Sequence, residues 1–588
     1  MARLAVLHRA TLCILLWLCC PFPVMAAEPV EVIVEGVDGA ALKNVREALA
    51  LPPGLVRGGK VDRLWLEHIE HQAATKVLTA LEPFGYYHAR VSTSIESAAE
   101  GRYRLRVRVT PGVPVHVRSI NVAVEGPGAG EAPLKELAAA FPLHKGDILL
   151  QQQYEEAKGR LLSRAQELGY LDGAFAVHRI CISKSESSAD IELVLETGGR
   201  YRFGDVRIEG GDGYPDRFLR RYLAFRPGEI FSPAKLGETQ VNFTNSERFK
   251  EVIVIPEKDK ARDLVMPVLV KLAPAPSRSL RPGIGYGTDT GARVGLRYRD
   301  LDMFRLGHDL NINLYIAENL QGLSAGYTIP SYRDIRGSTG VQLNLQREDV
   351  TTYVSRLASL EVDRNHRFDA GRLGTAYVRL QQEDFTIGAQ NAGTRLVLPG
   401  LRFTDNHYDN LIRPLKGYRY DVEVRGTTRF MGSDTSLLQV VAQGSTLVPL
   451  PWRLSLHTRA KAGATLFSDP LSELPVSLRF FAGGDQSVRG YTYQSLGPRD
   501  ANGNVVGGKQ LLVGSTELER ALFQNWGVSL FYDAGNAFNT FDTVYLFQGA
   551  GVGVHYYSPI GAINLYLARQ IGVPQPAYHI HFTMGFEL

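Results

Sequence analysis

The chain is 588 residues long, which calls for several folding units, and its 21% charged and 44% hydrophobic residues exclude a disordered acidic or basic tail protein. The net charge of +4 includes Arg3 and Arg9 at the extreme N-terminus, so the remainder is too weakly basic for a dedicated nucleic-acid surface. Glycine at 59 residues, with 26 tyrosines and 25 phenylalanines against four tryptophans, favours strands, turns and aromatic girdles over long helices.

Residues 1–26 read as a signal peptide. Arg3, His8 and Arg9 precede the apolar run Thr11 to Cys20, and small residues suited to cleavage follow at Ala26 and Ala27. The run is too short to span a bilayer. A lipidated cysteine normally follows a small residue, whereas Leu18 precedes Cys19, so a lipoprotein signal is rejected. Cys13, Cys19 and Cys20 leave with the leader, and Cys181 alone cannot form an internal disulfide. No later stretch approaches 18 consecutive apolar residues, which excludes transmembrane helices but not a membrane.

A repeat occupies the first half. A short strand closing on Glu-Gly ends at Gly36, Gly126 and Gly210, spaced by 90 and 84 residues. Each is followed by two helical stretches and two strands. In the first copy Leu64, Ile69, Val77, Leu78 and Leu81 carry a roughly helical spacing over 61–81, ending at Pro83-Phe84-Gly85. The second copy predicts a helix over 151–168 that ends at Gly169. In the third, Ser232 as N-cap and Pro233 in the first turn start a helix that closes at Arg248-Phe249. Strand, helix, helix, strand, strand in about 80 residues is a small α+β unit. The three units resemble polypeptide-transport-associated (POTRA) domains, with Gly85-Tyr86 and Gly169-Tyr170 matching that family's helix-to-strand turn and Arg248-Phe249 departing from it. The expected boundaries are 28–112, 113–199 and 200–273.

Beyond Pro274 the period becomes two. Ala292, Val294, Leu296 and Tyr298 alternate with Arg293, Gly295, Arg297 and Arg299. At the end, Tyr578, Ile580, Phe582, Met584, Phe586 and Leu588 face one way, while His579, His581, Thr583, Gly585 and Glu587 face the other. Such strands also fit a soluble sandwich. About 310 residues without a covering helix, behind an export signal, favour a closed barrel that satisfies its backbone in lipid. At about 19 residues per strand and connection, 278–588 should form a 16-stranded antiparallel transmembrane barrel.

The most specific string is RFFAGGDQSVRGY, from Arg479 to Tyr491. Its Val488-Arg489-Gly490-Tyr491 resembles the loop signature of the outer-membrane superfamily that holds BamA, TamA and the two-partner secretion transporters. STELER with Glu517 on the next strand and FYDAGNAF with Asp533 at the end of the one after it follow in that family's order, so the resemblance covers essentially the whole mature chain. It implies that Arg489 folds back into the barrel and meets Glu517 and Asp533. The planar guanidinium fork suits such a lock, since an arginine there without carboxylates is a costly unpaired charge.

Other strings are better explained without chemistry. Gly322-Leu-Ser324-Ala-Gly326 fits a nucleophile elbow by letter, but an alternating strand runs on to Pro330 where the elbow needs a helix. Gly283, Gly285 and Gly287 suggest a nucleotide loop, yet no helix follows, and they read as a weakly pairing first barrel strand. His68, Glu70 and His71 fit no zinc motif and read as a solvated helix face. His579 and His581 lack a third ligand, and His407 and Cys181 show no partner. No enzyme, cofactor or metal is expected.

The resemblance is strongest to TamA-type subunits of the translocation and assembly module. It implies ATP-independent assembly of outer-membrane proteins and autotransporters, with the modules in the periplasm. Incoming strands would be bound by β-augmentation, and outer-membrane lipids would be thinned beside a lateral seam. The seam residues would be Gly283, Gly285, Gly287, Phe582, Gly585 and Phe586, with Phe586 as the terminal aromatic signal. The partner implied is a TamB-like inner-membrane-anchored periplasmic protein, and no nucleic acid. The alternatives are a two-partner secretion transporter exporting a large exoprotein, which carries two POTRA domains and a plug helix for which too few residues precede Val30, and a BamA-type insertase with five POTRA domains.

Overall fold

The computed structural model describes residues 29–57, 60–98, 102–410, 414–542, 544–558 and 561–585. The expected signal peptide and Phe586 lie outside them. The chain divides into two compact units: 29–206 with 225–237 and 256–268, and 207–224 with 238–255 and 269–585.

In the first α+β module, strand Val30–Glu35 pairs parallel with Arg102–Thr110, which pairs antiparallel with Arg90–Ala98. The module's long helix, Arg63–Leu81, starts two residues later than the periodicity predicts, because Asp62 takes the N-cap and accepts from the Trp65 amide at 3.1 Å. Its buried face, Leu66, Ile69, Ala73, Val77 and Leu81, closes over Leu105 and Val107 of the sheet. Leu64 and Leu78, read from the sequence as part of that face, are exposed. The second module repeats the plan, with His116–Glu125 parallel to Ser188–Glu196 and the latter antiparallel to Ala174–Ser183. In the third, the strands order as 249–256, 265–274, 202–209.

One hydrogen bond recurs where each module ends. The carbonyl of Gly85 accepts from the Val115 amide at 2.8 Å, and that of Gly169 from Tyr201 at 2.9 Å. Both glycines sit at positive φ, 84° and 96°. In the third copy the carbonyl of Arg248 accepts from Ala275 at 2.8 Å. The departure from Gly-Tyr therefore preserves the joint and adds a side chain. The buried Arg248 guanidinium donates to the Gly307 carbonyl at 2.9 Å and to the Asp309 carboxylate in a barrel hairpin.

The second half is a closed sixteen-stranded barrel, each strand pairing with the next and the last with the first. The strands are β1 (Arg278–Gly287), β2 (Gly291–Met303), β3 (His308–Ala317), β4 (Leu320–Pro330), β5 (Gly337–Asp349) and β6 (Tyr353–Arg367). They continue as β7 (Arg372–Ile387), β8 (Gln390–Asn406), β9 (Gly417–Thr427), β10 (Leu437–Leu450) and β11 (Leu454–Phe467). After a long loop come β12 (Gln510–Ala521), β13 (Trp526–Phe538), β14 (Phe547–Ser558), β15 (Gly561–Ile571) and β16 (Tyr578–Gly585).

The burial pattern is the inverse of a soluble sandwich. Val294, Leu314, Val362, Leu380, Leu530 and Ile580 are exposed on the outer face, while Glu361, Glu383, Glu517, Asp533 and His581 are buried on the inner one. An apolar outside around a polar inside is the arrangement for a wall in lipid. No helix among the described residues is long and apolar enough to cross a membrane.

Candidate functional site: the inner loop and the barrel seam

Residues 468–509, between β11 and β12, fold into the lumen. Phe480, Ala482, Val488, Tyr491 and Leu496 form a buried cluster with Leu511 and Val513 of β12 and Ala537 of β13. This apolar contact sets the loop on the wall, and it brings the next inward positions of β12, Ser515 and Glu517, beneath Arg489. Asp533 is in mid-strand in β13 rather than at its end, and points inward beside them.

Arg489 is 1% exposed. Its Nε and Nη2 donate to the two oxygens of Asp533, both at 2.8 Å, in a bidentate fork. Nη1 donates to Glu517 at 2.6 Å, Nη2 to Ser515 at 3.2 Å, and the backbone amide to Asp533 at 3.0 Å. The guanidinium carbon lies 3.6 Å from the Phe531 ring centroid and 4.6 Å from that of Tyr566. Burial opposes this charge, but the hydrogen bonds and attraction of Asp533 and Glu517 prevail and hold the guanidinium above its ordinary pKa. Glu517 also meets His555 of β14 at 3.1 Å.

The other motif residues extend the contact toward the last strands. Gly490, at φ 97°, donates its amide to His581 Nε2 of β16 at 2.9 Å, and its carbonyl accepts from Gln570 of β15 at 2.9 Å. Gly549 of β14 allows the approach of the loop backbone, because a Cβ there would stand 1.9 Å from the Arg489 carbonyl oxygen. Val488 is fully buried, and Tyr491 donates to the Gln548 carbonyl at 3.4 Å.

The loop has a second attachment that the sequence reading missed. Glu383 of β7, fully buried, accepts from Ser355 at 2.7 Å and from both the hydroxyl and the amide of Ser477 in the loop. Arg479 nearby donates instead to the carbonyls of Leu474 and Val506, at 2.8 and 3.0 Å. Only an inward acidic position on an alternating strand hinted at Glu383.

At the seam, β1 meets β16 through Gly285 with Gly585, Tyr286 with Met584, and Gly287 with Thr583 among the described residues. The Thr288 hydroxyl extends the contact, accepting from the Phe582 amide at 2.7 Å. Gly283 pairs with Gly295 of β2. The glycine at 285 has a steric reason: a Cβ would come within 2.7 Å of the Met584 carbonyl oxygen and of Arg293. Phe582 packs at 6.1 Å from Tyr286 across the seam.

The strings set aside also have places. Ser324 is in mid-strand in β4, paired with Asn313 and Asn344, without an elbow. Glu70 is not on a solvated face, since it accepts from Thr93 of the sheet. His407, read as partnerless, sits 2.6 Å from Asp405. Cys181 is free and exposed.

Residues 279–588 match the Omp85 superfamily domain, residues 31–111 the POTRA domain TamA domain 1, and residues 201–269 the surface antigen variable number repeat of the POTRA type. The outer membrane protein assembly factor BamA of Nitratidesulfovibrio vulgaris is 23% identical over 407 residues, which cover 65% of this chain and 50% of that protein. BamA of Neisseria meningitidis serogroup B is 21% identical over 514 residues, covering 80% and 63%. The chain thus spans between half and two thirds of the length of these relatives. The crystal structure of BamA from Haemophilus ducreyi lacking POTRA domains 1–3 superposes with a TM-score of 0.66 at 17% identity, covering 80% of this chain and 99% of that one. This is an outer-membrane protein of POTRA modules and a sixteen-stranded barrel, and the chain belongs to the Omp85 superfamily.

Proposed function

We propose that the chain inserts and assembles outer-membrane β-barrel proteins, autotransporters among them, as a TamA-type subunit working with a TamB-like periplasmic partner. The observation that carries the insertase reading is the seam. Three residue pairs join β1 to β16 among the described residues, whereas β7 and β8 pair over sixteen. A short seam exposes unpaired backbone when it parts, and an incoming strand can take up those groups. Arg489, Glu517 and Asp533 lock the loop to β12 and β13, so that the wall beside the seam stays formed while the edges separate. The TamA-type assignment is supported by three α+β modules, of which the first matches the TamA domain 1 family.

The test uses the full chain, with Cys181→Ser, in liposomes of outer-membrane-like lipid. Folding of a urea-unfolded autotransporter barrel is followed by heat-modifiable gel mobility. We expect faster folding than in empty liposomes, without ATP. Cysteines at 286 and 584, opposite one another in the seam, should abolish the acceleration when oxidised and restore it on reduction. Acceleration that persists through the oxidised seam overturns lateral opening, and no acceleration in any form overturns the insertase reading. Capture of an inner-membrane-anchored periplasmic protein from native membranes tests the TamA-type assignment, and a barrel recovered without one overturns it.

A further inference from the structure

Asp289, Asp485 and His581 come from three different places. Asp289 is in the turn joining β1 to β2, Asp485 is in the inner loop four residues before Arg489, and His581 is in β16. Their donor atoms all lie within 4.8 Å of one another. Asp485 and His581 are buried. The Asp289 carboxylate accepts from the Asp485 backbone amide at 2.8 Å, and the Asp485 carboxylate pairs with His581 Nδ1.

The tautomer follows from the neighbours. Nε2 accepts from the Gly490 amide, so it carries no proton, and the single ring proton must be on Nδ1, donated to Asp485. This excludes the cation site that two carboxylates and an imidazole suggest at first sight. A metal on Nδ1 moves the proton to Nε2, where it faces the Gly490 amide. The cluster is built to hold hydrogen bonds.

We propose that Asp289, Asp485 and His581 are positioning residues that clasp the barrel seam through the inner loop, tying the turn after β1 to Asp485 and β16 to both Asp485 and the VRGY segment. The proposal rests on the insertase reading for its biological use, but not for its structural content. Chain continuity makes the coupling direct: His581 holds Gly490 at one nitrogen and Asp485 at the other, so parting β16 from the loop breaks both bonds together. Asp289 ties the opposite edge to the same loop residue.

The clasp has an electrical consequence. Asp289 and Asp485 face each other, and among the described residues neither forms an ion pair with an arginine or lysine. The titratable groups around them are Tyr493 from the loop and His579 beside His581 on β16, while the charged side chains of Arg293 and Glu318 approach the flanking positions Gly285 and Gly291. Burial, and then the charge of Asp485, push the Asp289 carboxyl up to about 7. Its folded value is raised, so its contribution to the closed clasp is complete below the ordinary carboxylate range near 4, falls as pH rises, and is gone above about 7.

Spin labels at positions 286 and 584, in the full chain with Cys181→Ser in detergent, read the seam by pulsed dipolar distance measurement. Asp485→Ala should shift the distribution severalfold toward long distances, with the heat-modifiable barrel intact. For wild type, the long-distance fraction relative to Asp289→Asn, which keeps the hydrogen-bonding shape of the protonated acid, should grow between pH 5 and pH 7 and level off above. A distribution unchanged by Asp485→Ala overturns the clasp, as does a pH-independent difference between wild type and Asp289→Asn. Because no substrate is present, a failed clasp is distinguishable from failed insertion.

Discussion

At one end the inner loop meets β12 and β13 through Arg489, a cation set between the carboxylates of Asp533 and Glu517. At the other, Ser477 meets β7 through Glu383, a buried carboxylate with no ion pair among the described residues, held by hydroxyl and amide donors. Both anchors are buried and both use the loop's own backbone. They differ in what remains when one partner is lost. Removing Arg489 leaves two acids facing each other away from water, whereas neutralising Glu383 leaves hydroxyls that can turn to a new partner. A charged lock is thus sensitive to its composition, and a hydroxyl cradle to its shape.

Arg489→Ala should break that contrast open most widely, costing about 3–5 kcal/mol of barrel stability, since it strands buried charges. Urea unfolding in micelles followed by heat-modifiable mobility measures it, and Arg489→Lys should fall between, because an ammonium cannot fork both carboxylates. Wild-type stability in both variants would remove the lock from the account. Gly549→Ala comes next, at about 1–3 kcal/mol, from pressing a methyl group onto the Arg489 carbonyl. In the Arg489→Ala background its cost should shrink, and equal costs in the two backgrounds would show that the loop does not depend on the fork for its place. Glu383→Gln should cost least, within about 1.5 kcal/mol, exchanging one set of hydrogen bonds for another. A loss as large as that of Arg489→Ala would make the two anchors alike.

The fold was legible wherever one period repeats. Strand alternation pointed to a barrel, the average length per strand and connection to sixteen strands, and the recurring Glu-Gly turns to three modules. Arg489, Glu517 and Asp533 were legible through the resemblance of VRGY, STELER and FYDAGNAF to the family's motifs, which implied that the arginine meets the two acids. Glu383 and Ser477 were not. β7 lies five strands from β12, and alternation says which face a residue takes but not what crosses the lumen to meet it. His581 was read as half of an incomplete metal pair for the same reason, since its partners come from a loop about ninety residues earlier and a turn almost three hundred earlier. Arg248 shows the converse. The third copy departs from Gly-Tyr in sequence, yet its turn keeps the carbonyl bond and its side chain reaches Asp309.

The position of Arg489 in the chain also orders the barrel's own birth. The loop is made after β11, and although Glu383 of β7 and Asp289 also receive parts of it, every group that neutralises Arg489 or receives Gly490 belongs to β12 through β16. Until those strands arrive, the arginine has no fixed carboxylate and Gly490 no imidazole. The first eleven strands can form a curved sheet without the loop, yet the loop can settle only when the final strands are in register. Its docking therefore serves as a completion signal: a barrel one strand short, or slipped by one residue so that Asp533 faces lipid, has nowhere to put the charge.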